Sequence, residues 1–133
     1  MCISESLEAE NGIPENASTF KSAIEGADAI VISLAEYNGL PSSAFKNLWD
    51  WTSRIDQNIW ADKPIFLAAT SPGGRGGKSA LEITKNLMPF FGGNVVTDFS
   101  LPSFHQNFQD GKIADEQLAA DFIKKVQIFQ KAI

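Results

Sequence analysis

The chain has 133 residues, of which 44% are hydrophobic and 20% are charged, and this composition is typical of one globular domain. Its formal net charge of −5, with 11 scattered Lys and Arg residues, argues against a nucleic-acid partner, and no apolar run is long enough to span a membrane. The one cysteine, Cys2, excludes an internal disulfide and favours a reducing, cytoplasmic setting, while the one histidine argues against a histidine-rich metal centre or a Ser-His-Asp triad.

The N-terminal third predicts one helix and one strand after an irregular start. Residues 1–13 are polar and acidic, unlike a signal peptide, and contain the turn signal Asn-Gly. A helix is predicted over about 15–26, and its apolar face is formed by Phe20, Ala23, Ile24 and Ala27. The run at 29–34 is apolar throughout and predicts a strand buried on both faces, as in a parallel sheet.

The loop AEYNGLPS and a second helix follow this strand. The helix is predicted over about 42–57 and is capped by Ser42 or Ser43. Its apolar side is formed by Phe45, Leu48, Trp49 and Ile55. Residues two positions apart on a helix do not face the same way. We therefore expect only one of Trp49 and Trp51 to face the core, which leaves the other for a subunit interface.

A second buried strand is predicted at 64–70, and the glycine-rich stretch SPGGRGG comes directly after it. The next helix is predicted over about 79–91, and glycines 92 and 93 end it. Its inward-facing residues are expected to be Leu81, Ile83, Leu87 and Met88.

The C-terminal third predicts a polar strand at 95–99, placed at a sheet edge, a loop over 101–113 and a helix over about 115–131. The buried stripe of this helix is formed by Leu118, Phe122, Ile123, Val126 and Phe129. Helices and strands alternate, which predicts an α/β fold: one parallel sheet with helices on both faces. Such sheets bind ligands at the carboxyl ends of their strands, where AEYNGLPS and SPGGRGG lie.

The stretch SPGGRGG leaves three interpretations open. As a phosphate-binding loop it ends in the required GKS, but Pro72 stands where that motif needs glycine. As a plain tight turn, its glycines supply positive φ angles and Lys78 is solvated. As a binding surface for a planar ring, its backbone can come close to the ring because glycines have no Cβ atoms. Tyr37 of the neighbouring loop then offers an aromatic face to the ring.

Five blocks of sequence occur together: EYNG at 36–39, FKN at 45–47, DW at 50–51, KP at 63–64 and SPGGRGG at 71–77. In order and spacing they resemble the NADPH-dependent FMN reductase family, which includes quinone, azo-dye and chromate reductases. The resemblance covers about residues 12 to 125. It departs at Ala35, where the family usually has Pro, and at Leu40, where a small polar residue is common.

This resemblance implies a flavodoxin-like fold, the cofactors FMN and NAD(P)H, and a homodimer or homotetramer. The implied cofactor-binding residues, from the two loops that flank the flavin ring, are Glu36, Tyr37, Asn38, Gly39, Ser71, Pro72, Gly73, Gly74, Arg75 and Gly76. Arg75 has three open roles: contact with a cofactor phosphate, contact with a partner subunit, or solvation. The flavin itself carries the chemistry, so no catalytic or metal-binding residue is predicted.

Other residues of the shared blocks are expected to serve the fold. Lys46, Asn47, Asp50 and Trp51 are assigned to helix packing and capping. His105 is expected to be exposed and without a functional role.

The family's first strand, phosphate-binding loop, first helix and second strand have no counterpart in this sequence. Residues 1–133 are therefore expected to form one N-terminally truncated domain whose strands correspond to the family's third, fourth and fifth. The first of these then exposes an apolar edge. We expect the chain alone to bind FMN much more weakly than a full-length relative.

Two functions follow from these expectations. The first is an NAD(P)H-dependent FMN-containing reductase that passes hydride through flavin to quinone-like or other small acceptors. The alternative is a degenerate, non-enzymatic flavodoxin-like module that oligomerises without binding flavin.

Overall fold

A computed structural model of the chain describes residues 2–133. Helices α1 to α6 span, in chain order, Glu5–Asn11, Glu15–Gly26, Ser43–Ile55, Lys78–Leu87, Phe104–Asn107 and Glu116–Gln130. Strands β1 to β7 span Ile30–Leu34, Glu36–Tyr37, Leu40–Pro41, Pro64–Thr70, Asn94–Leu101, Phe108–Gln109 and Lys112–Ile113. A short 3₁₀ helix, Met88–Phe91, continues α4 and ends at Gly92 with φ of 70°.

The main sheet has three parallel strands in the order β1-β4-β5. Residues of α2, α3 and α4, represented by Ile24, Trp49 and Leu81, pack on one face of the sheet. Phe129 of α6 packs on the other face against Phe66. The expected parallel sheet with helices on both faces is confirmed, and so is the edge position of the polar strand, β5.

Aromatic rings fill the core between β4 and the three helices. The rings of Trp49 and Trp60 meet edge to face with centroids 5.2 Å apart, and Phe91 meets Trp49 at the same distance. Phe20 of α2 completes the cluster with its ring 5.9 Å from that of Trp60. Edge-to-face packing of this kind adds about 0.5–1.5 kcal/mol per pair beyond area burial.

The expectation that only one of two tryptophans is buried was wrong. Trp49 is 5% exposed and Trp51 is 2% exposed. The face of α3 that carries Trp51 also carries Asn47 and Arg54, at helical spacing. Asn47 accepts a hydrogen bond from the Ile3 N–H, and the Arg54 guanidinium bonds the Glu8 carboxylate at 2.9 Å. The N-terminal segment therefore covers the second face of α3.

That segment was predicted to be irregular, and this too was wrong, because Glu5–Asn11 is helical. The Ser4 hydroxyl accepts a hydrogen bond from the Leu7 N–H and caps the helix. Short helices form in water only when tertiary contacts support them. The contacts to α3 supply that support here.

Strand β1 departs from the prediction of burial on both faces. Val31 is 63% exposed, whereas Leu34 is 5% exposed. The strand lies at an edge of the described sheet, and α6 packs on β4 and β5 instead. The apolar edge expected from the resemblance is therefore present, and the face of β1 next to α6 is open.

Several predicted inward-facing residues are also partly exposed: Ile55 at 39%, Ile83 at 38%, Leu87 at 38% and Ile123 at 57%. Ile123 lines an open apolar cavity of about 560 Å³ beside β1, which explains its exposure. The predicted loop at 101–113 contains the end of β5, α5 and the β6–β7 hairpin. Within residues 2–133, no helix is both long and apolar enough to cross a membrane.

Candidate flavin-binding site

Two loops leave neighbouring strands at the same end of the sheet. The register pairs Leu34, the last residue of β1, with Ala69, and β4 ends one residue later at Thr70. EYNG then folds into the short β2–β3 hairpin, whose turn residues Asn38 and Gly39 have φ of 52° and 82°. Asparagine and glycine adopt this left-handed conformation at the least cost. The two loops predicted to flank a ligand therefore lie side by side.

The hairpin rests on the first turn of α4. The Glu36 carboxylate accepts a hydrogen bond from the Ala80 N–H at 3.0 Å. A Cβ added at Gly39 would lie 3.8 Å from the Ser79 Cβ, which is ordinary van der Waals contact. The hairpin is thus in contact with the helix that follows the glycine loop.

The four glycines of SPGGRGG divide into two pairs. Gly76 and Gly77 are buried at φ of 60° and 74°. A Cβ at Gly76 would lie 2.5 Å from the Ser100 Oγ. A Cβ at Gly77 would lie 2.9 Å from the Ala69 Cβ. This pair is required by the turn and its packing.

Gly73 and Gly74 form the other pair. Both are exposed, neither has a positive φ, and a Cβ on either would meet no atom of residues 2–133 within 4 Å. The fold therefore does not need glycine at these two positions, and open space lies against the backbone. The tight-turn interpretation applies to one half of the loop, and the other half offers an unobstructed main-chain surface.

A third segment, which sequence reasoning missed, holds this loop from behind. The Ser103 N–H donates to the Gly73 carbonyl at 2.9 Å, and the Phe104 N–H donates to the Ser71 carbonyl at 3.0 Å. The available signal was positional: this segment also follows the carboxyl end of a strand. Main-chain contacts leave no side-chain motif, so composition could not reveal them.

The carbonyl and N–H groups of the loop differ in whether they have hydrogen-bond partners. The carbonyls of Ser71 and Gly73 are engaged by the segment behind the loop. Within residues 2–133, the N–H groups of Gly73, Gly74 and Arg75 have no hydrogen-bond acceptor. Unpaired exposed N–H groups on an open backbone are suited to bind carbonyl oxygens of a flat ring.

The side chains around the two loops are mostly exposed. Tyr37 is 64% exposed, and Asn38 and Pro72 are also exposed. The Arg75 guanidinium donates to the Ser79 hydroxyl at 2.5 Å, on the first turn of α4. This contact places the Arg75 side chain beside the two loops, and its other guanidinium N–H groups remain available for a ligand.

Residues that were expected to have no ligand-binding role contact other parts of the protein. Lys46 and Asp50 form an ion pair at 2.6 Å along α3. His105 is exposed, as expected, and its ring meets Phe104 edge to face at 5.7 Å. Among residues 2–133, no three His, Cys, Asp or Glu side chains cluster closely enough to hold a metal ion.

An apolar cavity of about 720 Å³ adjoins the hairpin and the exposed side of α4. It is lined by Tyr37, Leu40, Ile83 and Leu87 among others. Leu40 is 54% exposed, so this surface is open to solvent in the isolated chain.

The sequence is similar to those of known proteins over most of its length. An NADPH:quinone oxidoreductase of Arabidopsis thaliana is 33% identical over 119 residues, which cover 86% of this chain and 60% of that protein. A quinone reductase of Escherichia coli is 29% identical over 139 residues, covering 92% of this chain and 72% of that protein. The chain thus spans about 60% of the length of the first of these relatives.

A solved structure has the same fold. FerB, a flavoenzyme NAD(P)H:(acceptor) oxidoreductase from Paracoccus denitrificans, matches with a TM-score of 0.70 and 28% identity, covering 99% of this chain and 76% of that chain. The predicted flavodoxin-like class is thereby confirmed. The family described as NADPH-dependent FMN reductase matches residues 2–106, so the chain belongs to the NADPH-dependent FMN reductase family.

Proposed function

We propose that the chain binds the isoalloxazine ring of FMN between the EYNG hairpin and the glycine loop and, with NAD(P)H, reduces quinone-like small acceptors. The observation that carries this proposal is the open backbone at Gly73 and Gly74 beside the hairpin. The family match supports the choice of cofactors.

The residues present fit a flat ring. Gly73 and Gly74 have no Cβ atoms to hold a ring away, and in the part of the chain that the structure describes nothing fills the space that such atoms would take. Three N–H groups in this part of the loop, those of Gly73, Gly74 and Arg75, are available to ring carbonyls. On the other side, Tyr37 and Asn38 supply exposed groups of the hairpin.

The bound flavin would supply the redox chemistry, accepting hydride from NAD(P)H and passing two electrons to the acceptor. The chain's own part is to bind and orient the ring. The N–H groups of Gly74 and Arg75 would supply fixed dipoles that stabilise negative charge on a bound ring. Arg75, hydrogen-bonded to the Ser79 hydroxyl, adds positive charge next to the glycine loop. Two relatives, one named an NADPH:quinone oxidoreductase and the other a quinone reductase, support the choice of acceptor.

We also propose that the active form is at least a homodimer and that it is cytoplasmic. The exposed apolar surface formed by Leu40, Ile83 and Leu87 is what a second copy would cover. The single cysteine is compatible with a reducing compartment.

The proposed function is tested with the purified chain by titrating flavin and following the quenching of its fluorescence. Saturable binding of FMN is expected, followed by flavin-dependent oxidation of NADPH when 1,4-benzoquinone is added. Riboflavin is the informative second ligand because it has the ring without the phosphate. Since the open groups face a ring, riboflavin should bind within about tenfold of FMN, a difference of about 1.4 kcal/mol.

Two results would contradict the proposal. Absence of quenching by either flavin would favour the non-enzymatic flavodoxin-like module. Binding of FMN without NADPH oxidation would keep the site and remove the proposed reaction.

A further inference from the structure

Helix α4 begins at a position that cannot hold a capping side chain. Its N-cap residue is Gly77, which has φ of 74° and no side-chain hydrogen bond. Serine, threonine, aspartate and asparagine are the usual N-caps because their side chains accept the free N–H groups of the first turn. A side chain at Gly77 would overlap the Ala69 Cβ, so the fold denies the helix a cap of its own.

The missing cap comes from a distant part of the chain. The carboxylate of Glu36, 44 residues earlier, accepts the Ala80 N–H at 3.0 Å, in the first turn of α4. A negative charge at this end of a helix is also favoured by the helix dipole. A hydrogen bond with a charged acceptor is about twice as strong as a neutral one.

The same turn of α4 receives groups from both flanks of the proposed ring site. Glu36 reaches it from the EYNG hairpin, and Arg75 reaches it from the glycine loop through the Ser79 hydroxyl. This turn therefore contacts both elements that flank the proposed ring site.

We infer that Glu36 is a positioning residue: by capping α4 with its carboxylate, it fixes the gap between the EYNG hairpin and the glycine loop. This assigns Glu36 a role different from ring contact, because the oxygen bonded to Ala80 serves the helix. The flavin part of the inference rests on the proposed function, whereas the cap itself does not.

The test compares Glu36→Ala with Glu36→Gln, since a glutamine carbonyl still accepts the Ala80 N–H while the charge is lost. The control Glu82→Gln removes a charge from an exposed residue in the second turn of the same helix. Two quantities are measured: hydrogen exchange at the Ala80 amide in the flavin-free protein, and the affinity and absorbance spectrum of added FMN.

Glu36→Ala is expected to speed exchange at Ala80, to lower FMN affinity by about tenfold and to shift the bound-flavin spectrum, since the ring environment loosens. Glu36→Gln should restore slow exchange and most of the affinity, and Glu82→Gln should change neither. These variants are also melted, so that a global loss of stability is recognised.

Unchanged exchange at Ala80 in Glu36→Ala would overturn the inference. Slow exchange in Glu36→Gln combined with an affinity as low as that of Glu36→Ala would overturn it as well, because the charge would then act on the ligand directly. If wild-type protein binds no flavin, the proposed function fails, and the exchange measurement still decides whether Glu36 caps the helix.

Discussion

The ammonium group of Lys21, whose side chain is 6% exposed, lies 3.0 Å from the carboxylate of Asp56. The same ammonium donates to the carbonyls of Asn58 and Ile59 at 2.5 and 3.4 Å. Helix α2 is thereby joined to the segment that carries Ile59 and Trp60 into the core. The hydrogen bond from Lys21, and then that from the Asn58 N–H, holds the pKa of Asp56 below its usual value of 3.8.

This relationship predicts a loss of stability in acid. A carboxyl whose pKa is lower in the folded state takes up its proton first in the unfolded chain, so the free energy of unfolding rises with pH across that range. The contribution of Asp56 should be complete above about pH 5 and should fall as the pH drops through 3.8 towards the lowered pKa. Urea unfolding at a series of pH values measures it.

Asp56→Asn should flatten the acid limb of this stability profile. Asp28→Asn, at an exposed aspartate, is the matched control and should leave the profile unchanged. An acid limb that is equally steep in Asp56→Asn would show that other carboxyls account for it.

Replacement of Lys21 by methionine is a separate prediction. The apolar stem would remain buried, but the Ile59 carbonyl would lose its donor, and the Asn58 carbonyl would keep only the Ala61 N–H at 3.4 Å. We expect a loss of about 1–3 kcal/mol in the free energy of unfolding, because the buried Ile59 carbonyl is left without a partner. Thermal and urea unfolding at pH 7 give the value. A loss close to zero would show that water replaces the ammonium.

The two glycine pairs predict opposite outcomes for the same substitution. Gly74→Val should leave the melting temperature nearly unchanged, because its Cβ meets none of the described residues within 4 Å. It should lower FMN affinity by more than about tenfold because the side chain would occupy the space assigned to the ring. Fluorescence titration and thermal melting measure the two effects.

Gly77→Val should behave in the reverse manner and destabilise the fold, since a Cβ there lies 2.9 Å from the Ala69 Cβ at φ of 74°. Backbone strain and overpacking each cost about 1–3 kcal/mol. A stable Gly74→Val that binds FMN normally would remove the main support for the ring site.

The start of α3 offers a matched pair of serines. The Ser42 hydroxyl accepts the Phe45 N–H at 3.2 Å, whereas Ser43 is the exposed first residue of the helix. Ser42→Ala is therefore expected to lower the free energy of unfolding by about 1 kcal/mol. Ser43→Ala should be nearly neutral. Equal effects in the two variants would mean that the cap contributes little.

The apolar surface beside the hairpin predicts an effect on association. Leu87→Glu places a charge on a residue that is 38% exposed and lines the apolar cavity next to Leu40. If a second copy covers this surface, the variant should dissociate at concentrations where the wild type is dimeric, as measured by light scattering. The control is Asn86→Glu, which adds the same charge at the adjacent exposed position outside that cavity. A wild type that is monomeric at every concentration would contradict the proposed dimer.

Two apolar runs show how far sequence could predict burial. The strand at 64–70 was predicted to be buried, and it is buried on both faces, since Ile65 and Phe66 pack into the two different core clusters. The run at 29–34 is as apolar, yet Val31 is exposed. The difference is the position of the strand in the sheet and the place where α6 packs, and neither is encoded within the run itself.

The candidate site divides in a similar way. The two loops could be found from the sequence because asparagine, glycine and the strand ends carry recognisable signals. The different roles of Gly74 and Gly77 could not, because they depend on Ala69 and Ser100, which come close only after folding. The contact of Glu36 with Ala80 joins positions 44 residues apart and leaves no local pattern.

The main-chain hydrogen bonds from Ser103 and Phe104 to the glycine loop affect which sequence changes this part of the site can tolerate. Strands β4 and β5 are still paired at Thr70 and Leu101. The segments that follow the two strands remain hydrogen-bonded to each other after both strands have ended. Exchange of one side chain for another at residues 103 and 104 leaves these two bonds in place unless the new residue is proline, which has no N–H. Deleting or inserting a residue between Leu101 and Ser103 would instead shift both donors past their acceptors. In this segment, a change of chain length is therefore more damaging than most changes of residue type.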